Sequence, residues 1–394
     1  MDAIEELLTR GVANIIPGKE ELRKIFQSGK KLNVYLGIDP TATRIHLGHA
    51  VPLRKLQALA ELGHHVTFLI GDFTALIGDT SDKDTERPVL TSEEINENFK
   101  TYKKQAEKIL DFSKVKVRHN SEWLKNLSYE EIIKLSQQFS LNDFISRELI
   151  RKRLAEGKRV ALHEVQYPIM QGYDSYFMDT DVQLGGTDQT FNMQAGRTLQ
   201  KLWRNKESFV VTNEFLTGTD GRKMSKSWGN AIWLDDAPED MYAKVMAIKD
   251  DLIVQYFTLG TRVAMSEVEE IKKKLEAGEH PMAIKKDLAR IITTELHSAE
   301  DAQKAQENFE KTVQQDELPA NIPVYMYTCV GETDITSVMV DAGLAESKSE
   351  AKRLLEQGGV SVNSSKINQP TVSLSDGDII KVGKRHFIKI QTPH

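Results

Sequence analysis

The sequence predicts an α/β protein: a doubly wound, mostly parallel sheet with helices on both faces, then an all-helical segment and a small α+β unit. Three observations predict it. Apolar strand patterns alternate with helical periodicity from about residue 32 to residue 230, and a parallel sheet needs that alternation because each crossover is made by a helix. No strand pattern occurs between Pro238 and about Val313. After Thr333 a short capped helix is followed by short strands and turn residues.

In chain order, strands are expected at Asn33–Ile38, His65–Gly71, Lys114–His119 and Ser208–Asn213. Leu53, Leu56, Leu59 and Ala60 mark one face of the first intervening helix, which Gly63 closes. Pro52 inside that helix predicts a kink or a late start, because proline removes a backbone donor. In the helical segment Pro238 suits a first helical position, Ser266 with Glu269 forms a capping box, and Pro281 opens another helix. Asp316 to Pro323 reads as a linker. Ser347 with Glu350 caps a helix running to Gln357, which Gly358 and Gly359 end. Strands at Val360–Val362, Ile379–Val382 and His386–Ile390 follow, with a turn at Asp376-Gly377. The expected domains are residues 1–232, 233–323 and 324–394.

At 394 residues the chain exceeds one ordinary core, and 40% apolar with 28% charged residues fits a globular protein of two or three domains. No apolar run approaches a membrane span, so no membrane association is expected. Asp2, Glu5 and Glu6 do not resemble the basic start of a secretion signal. Cys329 is the single cysteine, which excludes an internal disulfide and a cysteine-cluster metal site and suits a cytoplasmic setting. The net charge of -6 excludes bulk polyanion binding, so nucleic acid would have to meet local basic patches. Residues 334–394 hold eight Lys/Arg against seven Asp/Glu, whereas residues 1–333 hold 44 against 51.

Two short motifs carry the chemistry. Tyr35-Leu36-Gly37-Ile38-Asp39-Pro40-Thr41 ends the first expected strand, and His46-Leu47-Gly48-His49 opens the helix after it. Ligands in open α/β sheets bind at this carboxyl edge. A helix N-terminus there adds N–H donors and a positive dipole end suited to phosphate. About 177 positions later, Lys223-Met224-Ser225-Lys226-Ser227 lies among Gly218, Gly221 and Gly229, so two ammonium groups sit on a loop able to close over a charged leaving group. His46 and His49 lack a convincing third partner for a metal, and no protein metal site is expected.

This pair resembles the signature motifs of class I aminoacyl-tRNA synthetases. Three further runs sharpen the resemblance to the bacterial tyrosyl-tRNA synthetases. They are Leu76-Ile77-Gly78-Asp79-Thr80, Tyr167-Pro168-Ile169-Met170-Gln171-Gly172-Tyr173-Asp174 and Gln183-Leu184-Gly185-Gly186-Thr187-Asp188-Gln189. The resemblance spans the chain and implies a Rossmann-like catalytic domain. It implies that Tyr35 and Asp174 read the phenol of tyrosine and that Asn120 buttresses that pocket. Asp79, Tyr167 and Gln171 would hold the ammonium group, with Gln189 near the carboxyl group. Thr41, His46, Lys83 and Arg87 would favour the pyrophosphate, and Lys223 and Lys226 would close on it. Gly48 and His49 would contact the nucleoside, and Asp188 with the backbone of Gly186 the ribose. Gly37, Asp39, Met224 and Ser225 would fall on the ATP side.

Activation of an amino acid is attack of a carboxylate on the α-phosphate of ATP. The nucleophile is already anionic, so positioning and charge stabilisation must carry the catalysis. Mg²⁺ is expected with ATP, held through phosphate and water. The tail resembles an S4-type RNA-binding domain, with Lys348, Lys352 and Arg353 on its helix and Lys381, Lys384 and Arg385 near its late strands. Phosphate contacts from such cations position RNA without reading bases. The resemblance implies L-tyrosine, ATP and tRNA(Tyr) as substrates and a homodimer as the assembly. A tryptophanyl-tRNA synthetase and a non-catalytic RNA-binding relative are the rival readings. The Tyr35/Asp174 pair opposes the first, and the intact His46, His49, Lys223, Lys226 and Asp188 oppose the second.

Overall fold

A computed structural model describes residues 2–79, 90–225, 228–314, 322–327, 331–383 and 386–392. Lys83, Arg87, Lys226, Ser227, Cys329, Lys384, Arg385 and most of the expected linker lie outside the described residues. The chain divides into two compact units, Met1–Ala302 and Gln303–His394.

The first unit is built on a six-stranded sheet of β1 (Val12–Ile16), β2 (Asn33–Ile38), β3 (His65–Ile70), β4 (Val115–His119), β5 (Val182–Gly186) and β6 (Phe209–Asn213). The order is β1-β6-β5-β2-β3-β4, parallel throughout except for the antiparallel edge pair β1–β6. From β2 the chain builds outward through β3 and β4, then crosses back to place β5 and β6 on the other side. The direction of winding therefore reverses between β2 and β5. The crevice beyond the carboxyl ends of those two strands is where such folds bind ligands.

The helices of this unit are α1 (Ala3–Thr9), α2 (Lys19–Gln27), α3 (Leu47–Glu61), α4 (Ser92–Ala106), α5 (Ser121–Leu124), α6 (Tyr129–Ser136), α7 (Leu141–Ile145), α8 (Glu148–Ala155), α9 (Leu162–Phe177) and α10 (Thr190–Arg204). After them come α11 (Pro238–Met246), α12 (Ile253–Gly260), α13 (Met265–Glu276) and α14 (Pro281–Leu296), then α15 (Ala299–Phe309), within which the unit boundary falls. Val34, Val66, Phe68, Val182, Leu184, Val210 and Val211 are buried, as strands covered on both faces must be.

The four expected strands are present with ends shifted by at most one residue. Two further strands have no readable sequence pattern. β1 buries only Ile15 and forms by pairing with β6. β5 reads Val-Gln-Leu-Gly-Gly, and its glycines and glutamine disguise a strand that β2 and β6 bury from both sides.

The first helix does not start late. α3 begins at Leu47, whose N–H donates to Ile232 O at 2.8 Å, and runs through Pro52 to Glu61. Gly63 then closes it in the left-handed region. Pro238 and Pro281 each open a helix as expected. Ser266 is not the cap of α13, because the helix starts at Met265 with Ala264 before it and no side-chain cap bond.

The second unit contains β7 (Val324–Met326), β8 (Gly331–Asp334), α16 (Ile335–Asp341), α17 (Lys348–Glu356), β9 (Val360–Val362), β10 (Ser365–Lys366), β11 (Thr371–Leu374), β12 (Ile379–Val382) and β13 (His386–Gln391). Its sheet runs β10-β9-β12-β13-β7, with a separate β8–β11 pair. Ile335, Met339, Ala351, Leu355, Val360, Ile380 and Ile390 form its own core. Ser347 caps α17 as expected, its Oγ accepting from Glu350 N at 3.2 Å.

Candidate active site

α9 supplies three of the expected residues from one face, because Tyr167, Gln171 and Asp174 recur at helical spacing. Its first turn is pinned by a buried ion pair. Arg153 of α8 donates to both oxygens of Glu164, at 2.6 and 3.1 Å, and Glu164 Oε1 accepts from Ala161 N at 2.8 Å. Gly172 lets α10 approach, since a Cβ there would sit 3.1 Å from Ala195.

Asp174 is 2% exposed. Its two oxygens accept from Trp123 Nε1 at 2.7 Å and Asn120 Nδ2 at 3.1 Å. Burial outweighs these donors and pushes the carboxyl up to about 8. Tyr35, from β2, donates its hydroxyl to Gln183 Oε1 at 3.1 Å, and Gln183 is the residue paired with it on β5. Burial and the nearby Asp174 both hold the Tyr35 phenol well above its ordinary range.

Asn120 links this floor to the turn after β3. Its Oδ1 accepts from Phe73 N at 2.9 Å and its Nδ2 also donates to Thr74 Oγ1 at 3.0 Å. Thr74 donates to Asp39 Oδ1 at 2.8 Å, and Tyr167 donates to Asp39 Oδ2 at 2.9 Å. Asp39, assigned to the ATP side by resemblance, thus has both oxygens in the network around α9. Gly71 is required there, since a Cβ would fall 1.9 Å from Asp39 Oδ1.

Asp79 Oδ2 accepts from Gln189 Nε2 at 2.6 Å, and Gln189 Oε1 accepts from Asn192 Nδ2 at 3.1 Å. Gln171 Oε1 is buried without a hydrogen-bond partner. A buried acceptor left unpaired is costly, and a donor such as an ammonium group would satisfy it.

On the other side of the crevice, His46 stands at the N-cap of α3, with its ring centroid 3.8 Å from that of His49. His49 Nδ1 accepts from His46 N at 3.2 Å. Gly48 leaves room for the His46 ring, because a Cβ there would meet it at 3.0 Å. Burial, with smaller effects of His49 and Lys223, pushes His46 down to about 2, and burial with Lys223 pushes His49 down to about 4. Both imidazoles are therefore neutral near pH 7. They can offer directed N–H groups to phosphate but no net charge. His46 Nδ1 is buried without a hydrogen-bond partner. Thr41 N donates to Asp39 O at 2.8 Å, which sets the turn between β2 and His46.

The cation at this end is Lys223, whose Nζ lies 3.7 Å from Asp188 Oδ2 and 4.8 Å from the centre of the Phe215 ring. Asp188 follows β5 in a 3₁₀ turn, and Gly186 leaves room for its carboxylate. The start of the lysine loop is tied down. Ser225 N donates to Asn230 Oδ1 at 2.9 Å, and Asn230 Nδ2 donates to Lys223 O at 3.2 Å and Asp220 Oδ1 at 2.8 Å. Met224 is buried.

Trp123, Thr74, Gln183, Gly71 and Arg153 belong to this constellation and escape the sequence reading. Only Gln183 carries a signal, as the first residue of a recognised motif. In the second unit, Lys348 Nζ lies 4.0 Å from Asp334 Oδ2, Arg353 lies 3.5 Å from Glu350, and Lys352 is exposed beside them. Lys381 lies over the Phe387 ring.

The chain matches the family described as tRNA synthetases class I (W and Y) over residues 27–314, and the S4 domain over residues 336–380. It is 43% identical to a tyrosine–tRNA ligase of Dehalococcoides mccartyi over 388 residues, 98% of each chain. It is likewise 43% identical to one from Thermotoga maritima over 389 residues, covering 98% of this chain and 96% of the other. A crystal structure of tyrosyl-tRNA synthetase with L-tyrosine from Archaeoglobus fulgidus matches with a TM-score of 0.60 at 27% identity, covering 77% of this chain and all of that one.

The raised Asp174 carboxyl has a consequence for stability. Between about pH 4 and pH 8 the native state keeps a proton that the unfolded chain sheds, so this group's contribution is full below pH 4 and is lost as pH rises towards 8. Asp174→Asn has no such titration. The melting temperature of the variant minus that of the wild type is expected to rise steadily from pH 4 to pH 8, and a difference independent of pH would contradict the burial argument.

Proposed function

The chain belongs to the tryptophan and tyrosine family of class I tRNA synthetases; its activity is tyrosine–tRNA ligation, driven by ATP, and we propose the residue roles through which it works. The observation that carries the proposal is the buried floor at Asp174, flanked by Tyr35, at the sheet's switch point.

In this proposal the phenol of tyrosine enters between Tyr35 and Asp174, with Asn120 and Trp123 holding the Asp174 carboxyl in place. The ammonium group meets Asp79, Tyr167 and the unpaired Gln171 oxygen, while Gln189 orients Asp79 and lies towards the substrate carboxylate. One carboxylate oxygen attacks the α-phosphorus, the bond from that phosphorus to the α,β-bridging oxygen breaks, and pyrophosphate leaves with the electron pair. No proton moves, so no general base is needed. His46 and Thr41 donate to the leaving group and Lys223 adds charge, a stabilisation that costs little reorganisation when the donors are preplaced. Lys83, Arg87 and Lys226 are proposed to join them. Gly37, Gly48 and His49 face the nucleoside, Asp188 and Gly186 the ribose, and Met224 and Ser225 carry the loop over ATP. The adenylate then acylates the terminal adenosine of tRNA(Tyr).

Among the described residues no group of three or more His, Cys, Asp or Glu could hold a metal ion. Mg²⁺ is proposed to enter with ATP on its phosphate oxygens, where it would neutralise charge on the leaving group. Among the described residues, no helix is long and apolar enough to cross a membrane. A homodimer in the cytoplasm, and the three domains 1–232, 233–323 and 324–394, are proposed with the family.

An unpaired buried polar group costs about 1–3 kcal/mol. Asp174→Ala would leave two donors unpaired and disturb the fold, so the sharper variants are Asp174→Asn and Tyr35→Phe. Each is expected to lower kcat/KM for tyrosine in ATP–pyrophosphate exchange by roughly 10- to 100-fold while leaving KM for ATP nearly unchanged. Full tyrosine exchange in both variants would remove the phenol assignment.

α17 supplies the proposed RNA-binding surface. Lys348→Glu combined with Lys352→Glu is expected to leave tyrosine exchange intact and weaken tRNA binding. The log–log salt dependence of that binding should flatten by about one unit for each phosphate-facing cation removed. Unchanged tRNA affinity at every salt concentration would take the RNA-binding role from this face.

A further inference from the structure

The stem of the lysine loop hangs from α12, a helix of the segment that follows the sheet. Gln255 Oε1 accepts from Thr217 Oγ1 at 2.6 Å and from Thr217 N at 3.4 Å, and Gln255 Nε2 donates to Phe215 O at 3.3 Å. The next residue, Tyr256, is fully buried and donates its hydroxyl to Thr217 O at 2.8 Å. Thr217 is the point at which the loop closes on itself, since it bridges to Lys223. Phe215 is the residue whose ring lies beneath the Lys223 ammonium. Two successive residues of α12 therefore hold both positions that place Lys223.

The far end of α12 is held just as firmly. The Arg10 guanidinium donates to the carbonyls of Phe257, Thr258, Thr261 and Val263, at 2.7–3.2 Å. Arg54 of α3 donates to Gly260 O at 2.9 Å. These donors satisfy carbonyls that a helix C-terminus leaves without partners. α3 is the helix that opens at His46. α12 thus connects the helix that presents the histidines to the stem of the loop that presents the lysine. Between stem and lysine lie Gly218 and Gly221, the latter in the left-handed region at φ +87°, so the loop can bend while its base stays fixed.

We propose that Gln255 and Tyr256 are positioning residues for the reaction: through Thr217 and Phe215 they set where Lys223 meets the departing pyrophosphate. This rests on the assignment of Lys223 to the pyrophosphate. An interaction realised only in the transition state raises kcat without changing substrate affinity. Removing the stem hydrogen bonds should therefore appear in kcat and not in the tyrosine KM.

The test is ATP–pyrophosphate exchange with the full-length chain and four variants: Gln255→Ala, Thr217→Val, Lys223→Ala, and Gln255→Ala combined with Lys223→Ala. Gln255→Ala and Thr217→Val remove the same hydrogen bond from its two ends. Each is expected to lower kcat about tenfold, the effect of one part-buried hydrogen bond, with the tyrosine KM and the melting temperature little changed. Groups acting as one unit are not additive, so the combined variant is expected to be no slower than Lys223→Ala alone. Unchanged kcat in Gln255→Ala beside an impaired Lys223→Ala would overturn the proposal, as would losses that multiply fully in the combined variant. Full exchange by Lys223→Ala would overturn the pyrophosphate assignment beneath it, a failure distinguishable from the others.

Discussion

A carboxyl group buried away from water is the constraint around which the tyrosine side of this structure is arranged. Asp174 can occupy the interior only because Asn120 and Trp123 supply donors to its two oxygens. Asn120 stands at the end of β4 and also fixes the turn after β3 through Phe73 and Thr74. Thr74 and Tyr167 in turn share the two oxygens of Asp39 at the end of β2. One hydrogen-bonded network thereby joins three strand ends to α9. The same network that permits the burial also shapes the floor proposed to read a phenol.

The ATP side follows a different rule. Its imidazoles lie 3.8 Å apart, tilted by 32°, and their partial burial keeps them neutral. Positive charge comes from Lys223, which faces Asp188 at 3.7 Å. A fixed array of neutral donors beside a cation carried on a loop suits a reaction in which charge builds on the leaving pyrophosphate. The hydrogen bonds from α12 to Thr217 and Phe215 tie the base of that loop to the helices behind the sheet.

Parallel strands such as Asn33–Ile38 and His65–Ile70 were legible in the sequence because burial on both faces leaves mostly apolar runs. β5 was not legible as a strand, since it ends in two glycines and its burial comes from neighbours far away in sequence. β1 was hidden for the opposite reason: it is an edge with one buried residue. Tyr35, Asp174, Asn120, Asp188 and the histidine and lysine motifs were legible as residues of motifs or positions that resemble a family, while the partnerships of Gln183 and Trp123 were not. Gln183 meets Tyr35 across a strand pairing that nothing local announces, and Trp123 meets Asp174 through tertiary packing alone. The capping box expected at Ser266 does not form because the helix already starts at Met265, with Ala264 at its N-cap and no side-chain cap.

The central claim is that the buried Tyr35/Asp174 floor selects a phenol. ATP–pyrophosphate exchange measured without tRNA against each of the twenty amino acids tests it most directly. The account predicts rapid exchange with tyrosine and at most traces with phenylalanine, which brings no hydroxyl to the Tyr35/Asp174 floor. Comparable exchange with phenylalanine or tryptophan would contradict it.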